Sequence, residues 1–240
     1  MVDLFCLPYA GGSSTIFSSW NRELDSHIHC VPIELSGRGR RFGDLLYANM
    51  EESVADVFNI LTRDHELDSY AIFGHSMGGI IAYELAKKIE QNGLKRPEKV
   101  FVSATQPPIH NKSKKWSELP DDEFMECLTS LGGIDLELLN NKEFLDLYIP
   151  ILKADFSMIE NYRFNHKDRP INTDLVILSA ADDPYIHREK LNDWATFTSK
   201  EAIFHEFEGN HFFVNEHSTE VIRLINQQLQ NTKQNMHHLS

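Results

Sequence analysis

A serine between two glycines is the first group in this chain whose setting points to chemistry. The letters Gly74-His75-Ser76-Met77-Gly78 follow an apolar run and lead into a helical pattern. A strand that turns sharply into a helix in this way holds the serine hydroxyl exposed at the tip of the turn, and the flanking glycines let the two backbones pass each other. We therefore predict that Ser76 is the nucleophile of an acyl-transfer reaction. The alternative is a glycine-rich turn that performs no chemistry.

A serine hydroxyl becomes a strong nucleophile only when a histidine takes its proton and a carboxylate orients that histidine. Chains with this type of turn supply the three groups in the order serine, acid, histidine. Of the 12 histidines, only His211 directly follows the last strand-like run, whereas His205 lies inside that run and His217 at the start of a helix. His211 is therefore the predicted base, and an ordinary loop histidine is the alternative.

The orienting acid is expected in the turn Asp182-Asp183-Pro184, which follows an earlier strand-like run. We choose Asp183 because a residue before proline is held in an extended conformation, so that its carboxylate can be aimed. Asp182 is the second candidate. The alternative for either aspartate is a role as a turn residue or helix cap.

An oxyanion formed during acyl transfer requires two backbone N–H donors. The first is expected from Met77, the residue after the nucleophile. The second is expected from Ala10, with Tyr9 as the next candidate, in the glycine-containing loop 8–13. Such a loop could alternatively hold the phosphates of a dinucleotide. A dinucleotide-binding loop combines the spacing Gly-x-Gly-x-x-Gly with an acidic residue at the end of the second strand. This chain does not have both features, so the dinucleotide alternative is rejected.

Six strand-like runs must position these groups, and helical patterns separate them. The runs are 2–7, 29–35, 70–73, 99–104, 174–179 and 202–207. Repeated strand–helix units predict an α/β protein with a mainly parallel twisted sheet and helices on both faces. Together with the serine turn, they predict the α/β-hydrolase fold, in which the first and third strands are neighbours and their carboxyl ends form the ligand crevice. We expect residues 1–240 to form a single domain.

One interval, at about 106–170, breaks this alternation because it contains helical patterns and no evident strand. One helix is expected to begin near Pro120, and another to span roughly 143–164, where Pro150 should kink or divide it. A helical insertion at the carboxyl edge of the sheet predicts a lid, and a bundle at the side of the sheet is the alternative. The polar segment at about 231–240 is expected to be a frayed tail.

Composition limits the class of protein. The chain has 240 residues, of which 41% are hydrophobic and 25% charged, as in soluble globular proteins. A net charge of −13 argues against nucleic acid and anionic membranes as partners. No apolar run is long enough for a membrane span, and we expect no signal peptide. Three cysteines do not form a paired framework, so we expect reduced thiols and a cytoplasmic location.

Further segments make the whole chain resemble the type II thioesterases that accompany nonribosomal peptide and polyketide synthetases. The resemblance rests on residues 7–13, 74–79, 103–108, 119–124, 131–133, 153–156, 182–184 and 209–212. In such enzymes the acid corresponds to Asp183 and the base to His211. Relatives often have two glycines before that histidine, whereas this chain has Gly209 and Asn210, and asparagine tolerates a left-handed conformation.

The resemblance implies a serine hydrolase that removes incorrect or stalled acyl groups from the 4′-phosphopantetheine arm of carrier proteins, in support of antibiotic and related biosynthesis. It implies transient docking of acylated peptidyl or acyl carrier proteins to a monomer that needs no cofactor of its own and no metal. The alternatives are a fatty-acyl chain-releasing thioesterase, a small-molecule esterase, and a hydrolase-fold binding protein without turnover.

Two basic clusters on this acidic chain are candidates for contact with the arm's phosphate or an acidic carrier. One contains Arg38, Arg40 and Arg41, and the other contains Lys112, Lys114 and Lys115. The lysines are our candidates for carrier docking. The alternative for both clusters is a solvated loop, which is what charge runs usually form.

Overall fold

The computed structural model describes residues 1–110, 115–131 and 141–237, with the backbone alone at 130, 131 and 231–237. Lys112, Lys114 and residues 238–240 of the predicted tail lie outside these ranges, as does most of the segment 131–133.

A six-stranded parallel sheet forms the centre of the fold. Its strands are β1 (Val2–Leu7), β2 (Ile28–Pro32), β3 (Tyr70–His75), β4 (Lys99–Ser103), β5 (Asp174–Ala180) and β6 (Ala202–Phe207). They lie in the order β2-β1-β3-β4-β5-β6, and every neighbouring pair is parallel. The predicted fold class is therefore confirmed, with β1 beside β3 and β2 outside them.

Helices connect the strands and cover both faces of the sheet. They are α1 (Met50–Asp64), α2 (Met77–Gln91), α3 (Asp121–Leu131), α4 (Lys142–Asn161), α5 (Arg188–Leu191), α6 (Phe213–Glu216) and α7 (Ser218–His237). None of the helices in the described ranges is both long and apolar enough to cross a membrane.

Alternating side chains of the strands build two separate layers of core, as the period of two along a strand requires. Phe5 and Ile72 belong to the layer beneath α1 and α2, whereas Leu4 and Phe73 belong to the layer that α7 covers. The central strands are buried on both faces, which explains their continuous apolar letters. This packing fixes the strand register and therefore the positions of the strand ends that carry the functional groups.

The helical insertion has an apolar cluster of its own, in which Phe124 and Leu128 of α3 meet Ile149 and Leu152 of α4. Helix α4 runs without a break through Pro150, so this proline does not divide the helix, and the alternative that it kinks the helix stays a prediction. A proline removes one backbone hydrogen bond and crowds the preceding turn. Ile149 and Leu152, which flank Pro150, are both buried in this cluster. Their packing against α3 holds the two halves of α4 together as one helix.

Candidate active site

Ser76 occupies a strained turn between β3 and α2. Its backbone has φ 55° and ψ −115°, a combination that costs energy for a residue with a side chain. A Cβ atom on Gly74 would lie 1.9 Å from the carbonyl oxygen of Gly78, and one on Gly78 would lie 2.3 Å from that of Leu7. Both positions therefore require glycine, because the end of β1, the end of β3 and the start of α2 are in backbone contact.

The end of β4 braces this strained turn. The N–H of Ser76 donates to the carbonyl oxygen of Ser103 at 2.7 Å, and the hydroxyl of Thr105 donates to the carbonyl oxygen of Ser76 at 2.9 Å. Ala104, between the two bracing residues, itself has a positive φ of 50°. The end of β4 thus holds Ser76 in a backbone conformation that costs energy for a residue with a side chain.

The structure brings Ser76, His211 and Asp183 together in one chain of hydrogen bonds. His211 Nε2 lies 2.9 Å from Ser76 Oγ, and His211 Nδ1 lies 2.7 Å from Asp183 Oδ2. The second carboxylate oxygen accepts the N–H of Tyr185 at 2.9 Å, which fixes the carboxylate. An imidazole that donates from Nδ1 to a carboxylate presents Nε2 as the acceptor for the serine proton.

The rival residues lie elsewhere. The Asp182 side chain is exposed, while its backbone N–H donates to the carbonyl oxygen of Gly209. His205 is half-buried on β6, and its imidazole lies near Gln228 of α7. His217 packs beside Gly209 at the base of the histidine loop. The catalytic roles of the three joined residues remain predictions, but their geometry is that of a nucleophile, a base and an orienting acid.

The loop that carries His211 is anchored at both ends. Gly209 has φ 95°, so the left-handed residue of this loop is the glycine rather than the asparagine. The side chain of Asn210 instead accepts the N–H of Phe212 at 2.7 Å and donates to Glu216 at 2.9 Å. Phe213 is fully buried, which holds the loop against the sheet.

His75 is a further residue of the site, and the sequence analysis assigned it no role. It is completely buried, with Nδ1 2.8 Å from the Ser103 hydroxyl and Nε2 2.8 Å from the carbonyl oxygen of His211. A carbonyl oxygen only accepts, so Nε2 carries the proton and Nδ1 accepts from the serine. Burial lowers the pKa of His75 to about 3. Its position in the glycine-flanked motif was the only sequence signal.

The predicted oxyanion donors lie on two segments that meet beside the nucleophile. Met77 is the first residue of α2, where backbone N–H groups have no partner within the helix. Ala10 lies in a turn closed by the N–H of Gly12, which donates to the carbonyl oxygen of Tyr9 at 2.9 Å. The contact of Gly78 with the end of β1 brings these segments together. Their role as donors remains a prediction.

The helical insertion borders this site. Tyr148 and Leu152 of α4 lie against Gly11, where a Cβ atom would come within 2.6 and 2.5 Å of them. On the other side, the ring of Trp116 contacts Tyr185, which in turn contacts the imidazole of His211. The insertion therefore contacts the oxyanion loop, which is the loop 8–13 that carries Ala10, and it approaches the base through Tyr185. Its function as a lid remains a prediction.

The basic clusters have different surroundings. Arg38 is buried in a bidentate ion pair with Asp155, and Arg41 pairs with Asp44 and Asp56. Arg38 is therefore not available to an acidic partner, because its guanidinium group is already paired inside the protein. Arg41 is half-buried, and its charge is shared between the two aspartates. Arg40 is exposed.

Lys115 is the one predicted docking lysine within the described ranges, and it is exposed. It donates to Asn161 at 2.6 Å and lies 3.5 Å from Glu118. Within the same ranges, no group of three or more histidine, cysteine or acidic side chains is placed to hold a metal ion. The chemistry that this site can perform with its own groups is acyl transfer through a serine.

Comparisons with known proteins agree with this architecture. The Thioesterase domain family matches residues 2–229. Linear gramicidin dehydrogenase LgrE of Brevibacillus parabrevis is 31% identical over 232 residues, covering 95% of this chain and 87% of LgrE. Gramicidin S biosynthesis protein GrsT of Aneurinibacillus migulanus is 31% identical over 227 residues, covering 94% and 88%. The crystal structure of ClbQ from the colibactin NRPS/PKS pathway superimposes with a TM-score of 0.92 at 33% identity, covering 97% of this chain and 98% of ClbQ.

Proposed function

Because this chain belongs to the Thioesterase domain family, we propose that it is a type II thioesterase that removes incorrect or stalled acyl groups from the 4′-phosphopantetheine arm of carrier proteins. The family makes it a thioester hydrolase. The observation that carries the mechanism is the unbroken hydrogen-bonded chain from Ser76 through His211 to Asp183. The names of GrsT and ClbQ, which refer to gramicidin S biosynthesis and an NRPS/PKS pathway, support the carrier-bound substrate.

The first half of the reaction transfers the acyl group to the enzyme. Ser76 Oγ attacks the thioester carbonyl while its proton passes to His211 Nε2, and Asp183 stabilises the imidazolium that forms. The N–H groups of Met77 and Ala10 stabilise the oxyanion of the tetrahedral intermediate. Collapse of the intermediate breaks the C–S bond, and the proton on His211 passes to the sulfur. The products are an acyl-serine and the free thiol of the arm.

The second half releases the acid. Water attacks the acyl-serine carbonyl and gives a proton to His211, and the same two N–H groups stabilise the second oxyanion. Breakage of the ester C–O bond returns that proton to Ser76 Oγ. The carboxylic acid leaves, and the enzyme needs no cofactor because the arm belongs to the substrate. LgrE has the name of a dehydrogenase, but a serine hydrogen-bonded to a histidine that is in turn hydrogen-bonded to an aspartate performs acyl transfer rather than hydride transfer.

The proposal includes a transient encounter between a monomeric enzyme and an acylated carrier in the cytoplasm. The proposed location accords with Cys6 and Cys30, which are free thiols in the core. Short acyl groups offer little apolar area to bury, so contacts with the carrier must supply much of the binding energy.

A fatty-acyl chain-releasing thioesterase or small-molecule esterase would use the same three residues, so substrate comparison decides between these functions. The test is hydrolysis of one acetyl group attached to a carrier protein, to coenzyme A and to a simple thiol. We expect kcat/KM to be much higher for the carrier than for acetyl-CoA, with Ser76 required for both. A preference of the intact enzyme for free acyl-CoA or simple esters would overturn the carrier-editing proposal and favour the alternative.

A further inference from the structure

The oxyanion loop after β1 is held from two sides by charged groups from distant parts of the chain. The N–H of Gly11 donates to Asp155 Oδ2 at 2.7 Å. Arg38 Nη1 lies 3.4 Å from the carbonyl oxygen of Gly12. Asp155 therefore holds the peptide unit that directly follows Ala10, the predicted second oxyanion donor, and Arg38 holds the peptide unit that follows Gly12.

Asp155 and Arg38 are themselves joined by a bidentate ion pair. Arg38 Nη1 and Nη2 lie 2.6 and 2.8 Å from the two carboxylate oxygens of Asp155. The two residues are only 2% and 4% exposed. Burial of such a pair contributes little net stability compared with apolar residues of the same volume. What it does supply is a fixed direction for each hydrogen bond that it makes.

Asp155 comes from the helical insertion and belongs to the face of α4 that lies on the loop. Tyr148, Leu152 and Asp155 are spaced by four and three residues, which places them on one side of a helix. Gly11 has φ 74°, and a Cβ atom there would lie 2.5 Å from Leu152 Cδ2 and 2.6 Å from the Tyr148 hydroxyl. Helix α4 thus touches the loop with apolar contacts and a carboxylate at the same point.

We propose that Asp155, held by Arg38, is a positioning residue of the oxyanion hole. It fixes the Gly11 amide and thereby aims the neighbouring N–H of Ala10 at the oxyanion on Ser76. This inference rests on the proposed function, because it assumes catalysis at Ser76. The oxyanion hole is then complete only when α4 packs against the loop, because any displacement of α4 removes the carboxylate that accepts the N–H of Gly11.

Preorganisation explains why such a residue matters for the rate. An oxyanion donor acts only if it already points at the position where charge develops, and a small misplacement of a catalytic group costs a large factor in rate. Substrate binding involves the carbonyl before it carries that charge. Loss of the Asp155 contact should therefore lower kcat more than it raises KM.

The test uses Asp155→Asn, which keeps the shape of the side chain and removes its charge. The matched control is Asp168→Asn, because Asp168 also pairs with a largely buried cation, Lys87, at 2.5 Å. Lys87 lies ten residues along α2 from Met77, or about 15 Å along the helix. We expect a roughly 10- to 100-fold lower kcat on the acyl carrier for Asp155→Asn, since loss of a whole oxyanion donor costs more than that. The control should retain its kcat.

Two ligands separate positioning from a structural effect. A trifluoromethyl ketone analogue of acyl-pantetheine forms a bond from its carbonyl carbon to Ser76 Oγ, so that its oxygen becomes an oxyanion while His211 takes the serine proton. A thioether analogue binds without an oxyanion. We expect Asp155→Asn to weaken the ketone by the same factor as kcat and to leave the affinity for the thioether unchanged. Equal weakening of both ligands, or no change in either, would overturn the proposal.

A variant that keeps the charge guards against misfolding of Asp155→Asn. Arg38→Lys retains a cation beside Asp155 but loses the bidentate grip, and it should reduce ketone affinity and kcat together by a smaller factor. Unchanged ketone affinity in a folded Arg38→Lys protein would count against the proposal. If wild-type enzyme hydrolyses the carrier thioester and binds the ketone, the proposed function holds whatever the variants do. If wild-type enzyme neither hydrolyses the carrier thioester nor binds the ketone, the proposed function itself is wrong, and this result does not depend on the variants.

Discussion

His75 Nε2 donates a hydrogen bond to the backbone carbonyl oxygen of His211 across 2.8 Å. The last residue of β3 thus holds the loop that carries the base, while the next residue, Ser76, is the nucleophile. The imidazole of His75 has to be neutral to accept from Ser103 at Nδ1 and donate at Nε2. The distance between base and nucleophile therefore depends on a buried histidine that touches no substrate.

The His75 contact predicts a specific dependence of stability on pH. Burial lowers the pKa of His75 from 6.5 to about 3 in the folded state, so between these values the unfolded chain binds the proton and the folded chain does not. The free energy of unfolding should fall as the pH falls through this range, by up to about 1.4 kcal/mol per pH unit, and this contribution should be constant above it. Urea unfolding at several pH values measures the slope.

The matched variant is His75→Gln, which can keep both hydrogen bonds but does not titrate. The difference in unfolding free energy between wild type and variant isolates the histidine from other titrating groups. This difference should change with pH only below the ordinary histidine pKa. An identical pH slope in the two proteins would contradict the prediction.

Removal of the nucleophile should abolish turnover without loss of the fold. We expect Ser76→Ala to lower kcat by about four to six orders of magnitude, and His211→Ala by a comparable factor, because the two groups act as a unit. Single-turnover assays with mass spectrometry should find no acyl-enzyme in Ser76→Ala. Circular dichroism controls for folding. A mild effect of His211→Ala alongside a severe effect of His205→Ala would move the base to His205.

The two neighbouring aspartates should differ sharply. Asp183→Asn is expected to lower kcat by about 10³- to 10⁴-fold, because the amide no longer holds the correct tautomer or stabilises the imidazolium. Asp182→Asn provides the control, since its carboxylate is exposed, and should change kcat little. Steady-state kinetics on the acyl carrier compares them. The reverse ranking would show that the acid had been assigned to the wrong neighbour.

The close backbone contact at the serine turn predicts intolerance of a single methyl group. In Gly78→Ala the new Cβ would lie 2.3 Å from the carbonyl oxygen of Leu7, so the start of α2 must move away from β1. We expect a loss of roughly 2–4 kcal/mol in unfolding free energy, as for other overpacked sites. Activity should fall as well, because Met77 and the oxyanion loop separate. Thermal melts and kinetics measure both effects.

The control for that substitution is Gly43→Ala, where a Cβ atom would meet nothing within 4 Å. Its φ is not in the left-handed region that favours glycine, so its stability should stay within about 0.5 kcal/mol of wild type. Equal stability of the two variants would argue against the tight packing between α2 and β1.

The predicted docking lysines allow a test of specificity. Reversal of charge at Lys112, Lys114 and Lys115 should lower kcat/KM for the acyl carrier by roughly three- to tenfold, more at low salt, and spare the acetyl-CoA reaction. A matched triple reversal at Lys95, Arg96 and Lys200 should spare both reactions. Those cations are also exposed, but they come just before β4 and β6. They therefore lie at the amino edge of the sheet, opposite to the carboxyl edge that carries the three catalytic groups. Equal losses on both substrates would indicate a damaged insertion rather than a docking surface.

The sequence by itself determined the sheet and the order of the chemical groups along the chain. The strand-like runs, the serine turn between β3 and α2, and the turns that carry Asp183 and His211 are local features. Each of these features is predicted by the spacing of apolar residues, or by a glycine or a proline, within a few residues of the chain. Because parallel strands have their carboxyl ends at one edge, local signals were enough to predict that these groups meet.

Only the tertiary structure decided which groups support them. His75 and His211 are 136 residues apart, and Arg38 and Asp155 are 117 apart. Letters for charged residues do not reveal whether a guanidinium lies in solvent or in a buried pair, so Arg38 was grouped with solvent-facing cations. Continuity of α4 through Pro150 likewise depends on packing. Such contacts depend on the docking of elements that are distant in sequence, and local propensity contains no information about that docking.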